Sequence, residues 1–374
     1  MSLPEHPATL LAEANAACRD AAVVTVTGDP ATLRLRGDEV AVTTALPARL
    51  APALRTTEHP CPAEEVQDIR IVRDPGLARR LDHAVHVTAP AGGVGEPHRL
   101  AHGVHLVGKH IGTPRDRRSG YLLWDRDSPR ASCVVVGDSG ATAETVLLRL
   151  VRGIAARTML AAGWIPLHAA CVMTPAGAVC LLGGTGSGKT TALLHLLAGV
   201  AGPVELVANS LVFLSPDGPA EVRTLPMAIG LRAPTIALFP ALTKLDDNVR
   251  ALDDGTSRIH LSAPDVAAAF DVAQSSGGPL AAIVDVTFDD ARQATWRPLD
   301  TGAITAAVGS AYLPDGLLDD PHEHARLDAN HTREHCRRLR KCAGSIGAAR
   351  FDAGTDTARV LGDGVTELVA QAAR

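Results

Sequence analysis

The residues whose types and spacing most plainly carry chemistry are eight in a row: Gly183-Gly184-Thr185-Gly186-Ser187-Gly188-Lys189-Thr190. They match G-x-x-x-x-G-K-[ST] throughout. In that pattern the glycines let successive backbone N–H groups curl around phosphate oxygens. The lysine neutralises the β- and γ-phosphates, and the hydroxyl after it ligates Mg²⁺. Lys189 and Thr190 take those roles here, with Thr191 adding a contact from the first helical turn. The other lysines are Lys109, Lys244 and Lys341, in a chain holding 36 Lys and Arg together. A lysine in so Arg-biased a chain needs an individual reason, and phosphate supplies one. The expected ligand is a nucleoside triphosphate, ATP with Mg²⁺.

Such a loop works only between a buried strand and a helix that aims its positive dipole end at the anion. The sequence provides both. The strand is the apolar run Val179–Leu182, and the helix is Thr190–Leu197 with Leu193, Leu194, Leu196 and Leu197, stopped by Gly199. Around this unit strands and helices alternate. Cys133–Val136 reads as a buried strand. Thr142–Ala162 reads as a helix with apolar positions at Val146, Leu147, Leu150, Ile154 and Met159. Strands are then expected at Trp164–Met173, Ala178–Leu182, Val204–Ala208 and Leu211–Leu214. Residues 131–374 thus read as an α/β nucleotide-binding domain. Residues 1–130 read as a separate, strand-rich α+β domain suited to selecting a substrate. Its expected strands are Val23–Thr27, Thr32–Arg36, Glu39–Thr43, Asp68–Val72, Ala84–Val87, Val104–Val107 and Tyr121–Trp124. The 374 residues agree with two domains at roughly 150 residues each.

Elimination narrows the loop's class. Ser275-Ser276-Gly277-Gly278 imitates an ABC-type signature, but the strand Leu280–Val284 follows at once and leaves no room for the intervening helix. Thr243-Lys244-Leu245-Asp246 imitates a GTPase base-reading motif, yet no D-x-x-G lies between it and the loop. An NTP hydrolase or GTPase is therefore kept only as a further alternative.

The flanks say more. Leu167-His168-Ala169-Ala170 stands on the strand upstream of the loop, and Leu206-Val207-Ala208-Asn209-Ser210 follows the loop's helix. Over residues 160–215 this arrangement resembles the HPr serine kinase/phosphorylase family, including its relatives encoded in peptide natural-product pathways. The resemblance implies a P-loop α/β kinase core of HPr kinase-like fold. It also implies a phosphotransferase that moves phosphate from ATP to a hydroxyl of a peptide, protein or small-molecule acceptor. The family's His and the first Asp of its paired aspartates flank the acceptor, and these map onto His168 and Asn209. Here the sequence departs from the pattern: both aspartates are replaced, by Asn209 and Ser210, and neither side chain is a carboxylate base or a strong Mg²⁺ ligand. A general base contributes about 10²–10⁴-fold, whereas phosphoryl transfer rests mostly on positioning and charge neutralisation. A kinase could survive the exchange; a catalytically degenerate nucleotide-binding scaffold or regulatory subunit is the alternative. A replacement carboxylate is available at Asp285, which ends the Walker B-like run Leu280–Val284 and is assigned to the metal.

The rest of the chain excludes more than it suggests. Net charge is −5 and aromatics make up 3%, which argues against a nucleic-acid partner. Seven scattered cysteines without a CxxC pair support neither a zinc ribbon nor a secreted disulfide scaffold. The uncharged stretch Thr158–Gly188 is broken by Pro166, Pro175 and its glycines, so no membrane partner is expected and the chain reads as cytoplasmic. His331 and His335 share a helix face but lack a third ligand, so that helix reads as solvated or packed. Its arginines could face an acidic peptide or the triphosphate of a neighbouring subunit in a homo-oligomer.

Overall fold

The computed structural model describes residues 7–17, 22–28, 31–37, 50–51, 54–57, 67–88, 98–99, 104–111, 118–125, 131–136, 140–215, 220–225, 227–243, 258–313, 334–335, 337–338 and 346–372. The chain divides into two compact units, one of Met1–Thr158 with Leu318–Ala325, the other of Met159–Leu317 with Arg326–Arg374. The division falls later than residue 130. The strand Ala131–Val136 and most of the following helix, expected with the nucleotide-binding half, group with the first unit because that strand is paired on both sides within its sheet.

The first unit contains α1 (Pro7–Ala17), β1 (Ala22–Gly28), β2 (Ala31–Gly37), β3 (Arg55–Thr57), β4 (Gln67–Arg73), α2 (Pro75–Thr88), β5 (His98–Arg99), β6 (Val104–Ile111), β7 (Arg118–Asp125), β8 (Ala131–Val136) and the start of α3 (Gly140–Ala161). Its described strands form one sheet in the order β3-β1-β2-β4-β8-β7-β6-β5. Leu35, Ile69, Leu77 and Leu81 are buried in this unit. One expectation fails here: Ala84–Val87 is not a strand but the end of α2. Asp74 caps that helix, its Oδ1 accepting from the backbone of Gly76 (2.7 Å) and Leu77 (3.0 Å), with Pro75 preset at the first helical position. Once started, the helix carries a short alternating segment along with it. The expected strand Glu39–Thr43 lies outside the described residues.

The second unit holds β9 (Ile165–Leu167), β10 (Ala170–Thr174), β11 (Gly177–Leu182), α4 (Lys189–Leu197), β12 (Glu205–Ala208), β13 (Val212–Leu214), β14 (Glu221–Thr224), β15 (Ile229–Arg232), α5 (Ala233–Ala237), α6 (Pro240–Thr243), β16 (Arg258–Leu261), α7 (Ala263–Ala269), β17 (Gly277–Gln293), β18 (Thr295–Pro298), α8 (Thr301–Ala311), β19 (Gly347–Thr355) and α9 (Thr357–Ala372). Its main sheet runs β12-β10-β11-β17-β14-β13-β9, and β19 joins β17 and β18. The architecture is mixed α/β around a multi-stranded sheet.

Strand alternation sorts this sheet into two cores. Val179 and Leu181 pack with Leu193 and Leu197 of α4 and Leu361 and Val365 of α9. Cys180 and Leu182, one residue out of step, pack with Ile304 and Val308 of α8 on the opposite face. β11 is therefore buried on both faces, as its unbroken apolar run requires. The expected single strand Trp164–Met173 is two: β9 pairs with β13, and β10 pairs with β11 and β12. His168 and Ala169 form the break, where the chain crosses between distant positions in the sheet.

Candidate functional site

β11 ends at Leu182, and the chain turns at once through Gly183, whose φ is 135°. A Cβ there would overlap the Val286 carbonyl oxygen and stand 2.5 Å from Ser187 Oγ, so only glycine lets the loop fold back against β17. Gly186 (φ 83°) and Gly188 (φ 90°) also lie in the left-handed region, and Gly188 is the N-cap from which α4 starts. Gly184, Thr185 and Gly186 are exposed, while the Ser187 hydroxyl is buried with no hydrogen-bond partner among the described residues. Lys189 is buried at 7% exposure, its Nζ donating to the carbonyls of Gly183 (2.6 Å) and Gly184 (2.8 Å). The loop is thus a turn of exposed backbone at a helix N-terminus, closed over by one buried cation. Burial pushes the Lys189 ammonium below its ordinary range. A site that concentrates positive charge away from water fits a polyphosphate.

Residues distant in sequence meet this loop from either side. Thr190 Oγ1 donates to Asn209 Oδ1 at 3.1 Å, and Asn209 Nδ2 donates to Ser210 Oγ at 3.3 Å. Asn209 is buried at the end of β12, and Thr190 is half-buried on the first turn of α4, with Thr191 beside it. His168 occupies the break between β9 and β10, where its backbone N–H donates to Ala311 O at 2.7 Å. It is half-buried. Its pKa is lowered first by burial and then by the charge of Lys189. An imidazole so placed is neutral at pH 7 and can accept a proton.

On the other side stands Asp285, in parallel register with Leu182, the last residue before the loop. The strand expected over Leu280–Val284 is longer: β17 continues past Asp285 to Gln293, with β11 on one side and β19 on the other. The partner of Asp285 was not foreseeable. Arg350 of β19 donates to Asp285 Oδ2 from Nε (3.1 Å) and Nη2 (2.8 Å). Arg350 follows Asp285 by 65 residues, and only parallel pairing of β17 with β19 sets them opposite each other. No local spacing could have revealed this.

Among the described residues no three His, Cys, Asp or Glu side chains group as a metal cage. The oxygens paired here are neutral, the Thr190 hydroxyl and the Asn209 amide oxygen. Those groups fit an Mg²⁺ held chiefly by phosphate oxygens and water rather than by a protein cage. Further away, Tyr312 forms a β-bridge with Leu167 and its hydroxyl pairs with Nδ1 of the buried His335 at 2.9 Å. His335 is thus a packed residue, in keeping with expectation. His331 and the run Asp319–His324 lie outside the described residues, as does the segment from Lys244 to Asp246.

No known family model matches the chain, and no curated protein matches it. Among solved structures, the chain is similar to the HPr(Ser) kinase/phosphatase from Coxiella burnetii. The match has 12% identity and a TM-score of 0.26, over 55% of this chain and 94% of that one. No helix among the described residues is long and apolar enough to cross a membrane.

Proposed function

We propose that this protein transfers the γ-phosphoryl group of ATP, with Mg²⁺, to a hydroxyl on a Ser or Thr of a peptide or protein, or on a small biosynthetic intermediate. The observation that carries the reading is the loop Gly183–Thr190 with Lys189 buried over it. The flanking residues His168 and Asn209 support the choice of reaction, since they occupy the two positions by which the sequence resembles the HPr serine kinase/phosphorylase family.

The chain's own groups divide the work. Backbone N–H groups of Gly184–Lys189 bind phosphate oxygens, and Lys189 neutralises charge on the terminal two. Asn209 Nδ2 donates to the oxygen of the acceptor hydroxyl and orients it, leaving that hydroxyl's one proton free. His168, neutral at pH 7, takes that hydroxyl's proton as the oxygen bonds to the γ-phosphorus and the bond to the β,γ-bridging oxygen breaks, ADP leaving with the electron pair. Thr190 Oγ1 and Asn209 Oδ1 would hold the Mg²⁺, which when bound spreads the charge of the phosphates. Asp285 could join them only by sharing its carboxylate with Arg350.

A nucleotide-binding scaffold is the second reading. The observation favouring it is that Asn209, Ser210 and Thr190 satisfy one another, where the paired carboxylates of the family would repel each other and attract a cation. Incubation with γ-labelled ATP, Mg²⁺ and a panel of hydroxyl-bearing peptides and metabolites separates the two. Phosphotransfer predicts acceptor-dependent label that Lys189→Ala abolishes and His168→Ala lowers by about 10²-fold or more. Tight ATP binding without label, indifferent to His168→Ala, selects the scaffold.

A further inference from the structure

We infer that Phe288 is the platform on which the base of the bound nucleotide stacks, a contact that does not itself choose between adenine and guanine. The inference rests on the nucleotide reading given above and adds the half of the ligand that the loop does not touch.

The last register pair between β11 and β17 is Leu182 with Asp285, after which β11 gives way to the loop while β17 continues along β19. β17 thereby projects past the phosphate cradle. On the face of this projection that looks toward α4, Val286 is buried in the core with the helix, and Phe288 follows two residues later on the same face. A Cβ built on Gly188, the N-cap of α4, would lie 3.8 Å from Phe288 Cβ and 3.9 Å from its Cδ2. The ring therefore stands at the lip of the loop.

Its exposure is the second observation. The chain has 5 phenylalanines. Phe213, Phe239 and Phe351 are buried, and Phe270 packs against a core. Phe288 is 57% exposed, although nothing about a β-strand forbids a polar residue there. Sheet order fixes which part of a nucleotide could meet it. β12 and β10, bearing Asn209 and His168 at their ends, lie on one side of β11, and β17 lies on the other. A terminal phosphate directed at His168 and Asn209 sends the base out over β17. Stacking uses the π-face that every base possesses, so it gives affinity without choosing between purines.

The test measures binding of ATP, GTP and inorganic tripolyphosphate to the full chain and to Phe288→Ala and Phe288→Trp, each with Mg²⁺. Phe288→Ala should weaken ATP and GTP about tenfold and leave tripolyphosphate unchanged. Phe288→Trp should bind both nucleotides at least as well as the parent. If Phe288→Ala lowers tripolyphosphate affinity as much as ATP affinity, or lowers neither, the platform is refuted while the phosphate site stands. Failure of the parent chain to bind either ATP or tripolyphosphate would instead sink the nucleotide reading itself, and the platform with it.

Discussion

His168 and Lys189 constrain each other. Both are drawn partly out of water, and the cation disfavours a second positive charge beside it. Because the His168 pKa is depressed, the imidazole stays neutral at pH 7 and protonates only as pH falls below the ordinary histidine value of about 6.5. Replacing Lys189 by Met removes the repelling charge, so the His168 midpoint should rise, while burial keeps it under the ordinary value. An NMR titration of the ring protons measures both, and a midpoint that ignores the substitution would dissociate the two residues. In linkage terms the folded state binds this proton less readily than the unfolded one. His168 therefore lowers stability as pH drops through the ordinary histidine range, and contributes nothing above it. Asn209 offers a complementary experiment. Asn209→Asp is nearly isosteric and keeps an acceptor for Thr190, so it should restore a base beside the acceptor. A kinase should gain in acceptor-dependent labelling, by as much as about 10²-fold; a scaffold should gain nothing.

At the scale of elements, the loop depends on how closely β11 and β17 approach. Gly183 sits against the Val286 carbonyl with φ 135°, so Gly183→Ala meets both backbone strain and overlap with main chain that cannot swing away. A loss of about 3 kcal/mol is expected from those two effects together, read as a lower denaturation midpoint. Gly184→Ala is the control, since no atom lies within 4 Å of the Cβ it would gain. It should keep the midpoint nearly unchanged. A comparable constraint operates behind the site. In α9, a Cβ on Gly364 would overlap the Trp296 ring and one on Gly362 the Val200 carbonyl. These two glycines let the helix lie flat on the sheet beside α4. Gly364→Ala should cost about 1–3 kcal/mol without altering the loop's own residues.

At the scale of the molecule, each unit has its own sheet and core. A ligand that binds only the folded state raises stability by RT ln(1 + [L]/Kd), about 2.7 kcal/mol at a hundredfold excess over Kd. If ATP seats on the loop Gly183–Thr190, it should raise the calorimetric transition of the unit Met159–Leu317 with Arg326–Arg374. A transition arising from the other unit should stay in place. Lys189→Ala should erase the shift. A shift equal in both transitions, or one preserved in Lys189→Ala, would place the nucleotide elsewhere.

The sequence alone determined what depends on near neighbours. Backbone that must curl, a strand that must be buried and a helix that must follow the loop all follow from residues a few positions apart, as in Val179–Leu197. Helix α3 and most expected strands were legible for the same reason, since periodicity of two or 3.6 is a local property. Ala84–Val87 was misread because four alternating residues fit either period, and the cap that decided between them, Asp74, lies ten positions upstream. Only the tertiary structure decided which distant side chains meet. Pairing of β17 with β19 gave Asp285 its arginine, extension of β17 past β11 left Phe288 at the lip of the loop, and crossing between β9 and β10 put His168 within reach of the charge on Lys189. Register and strand order arise from packing summed over a whole sheet, and no window of sequence contains that sum.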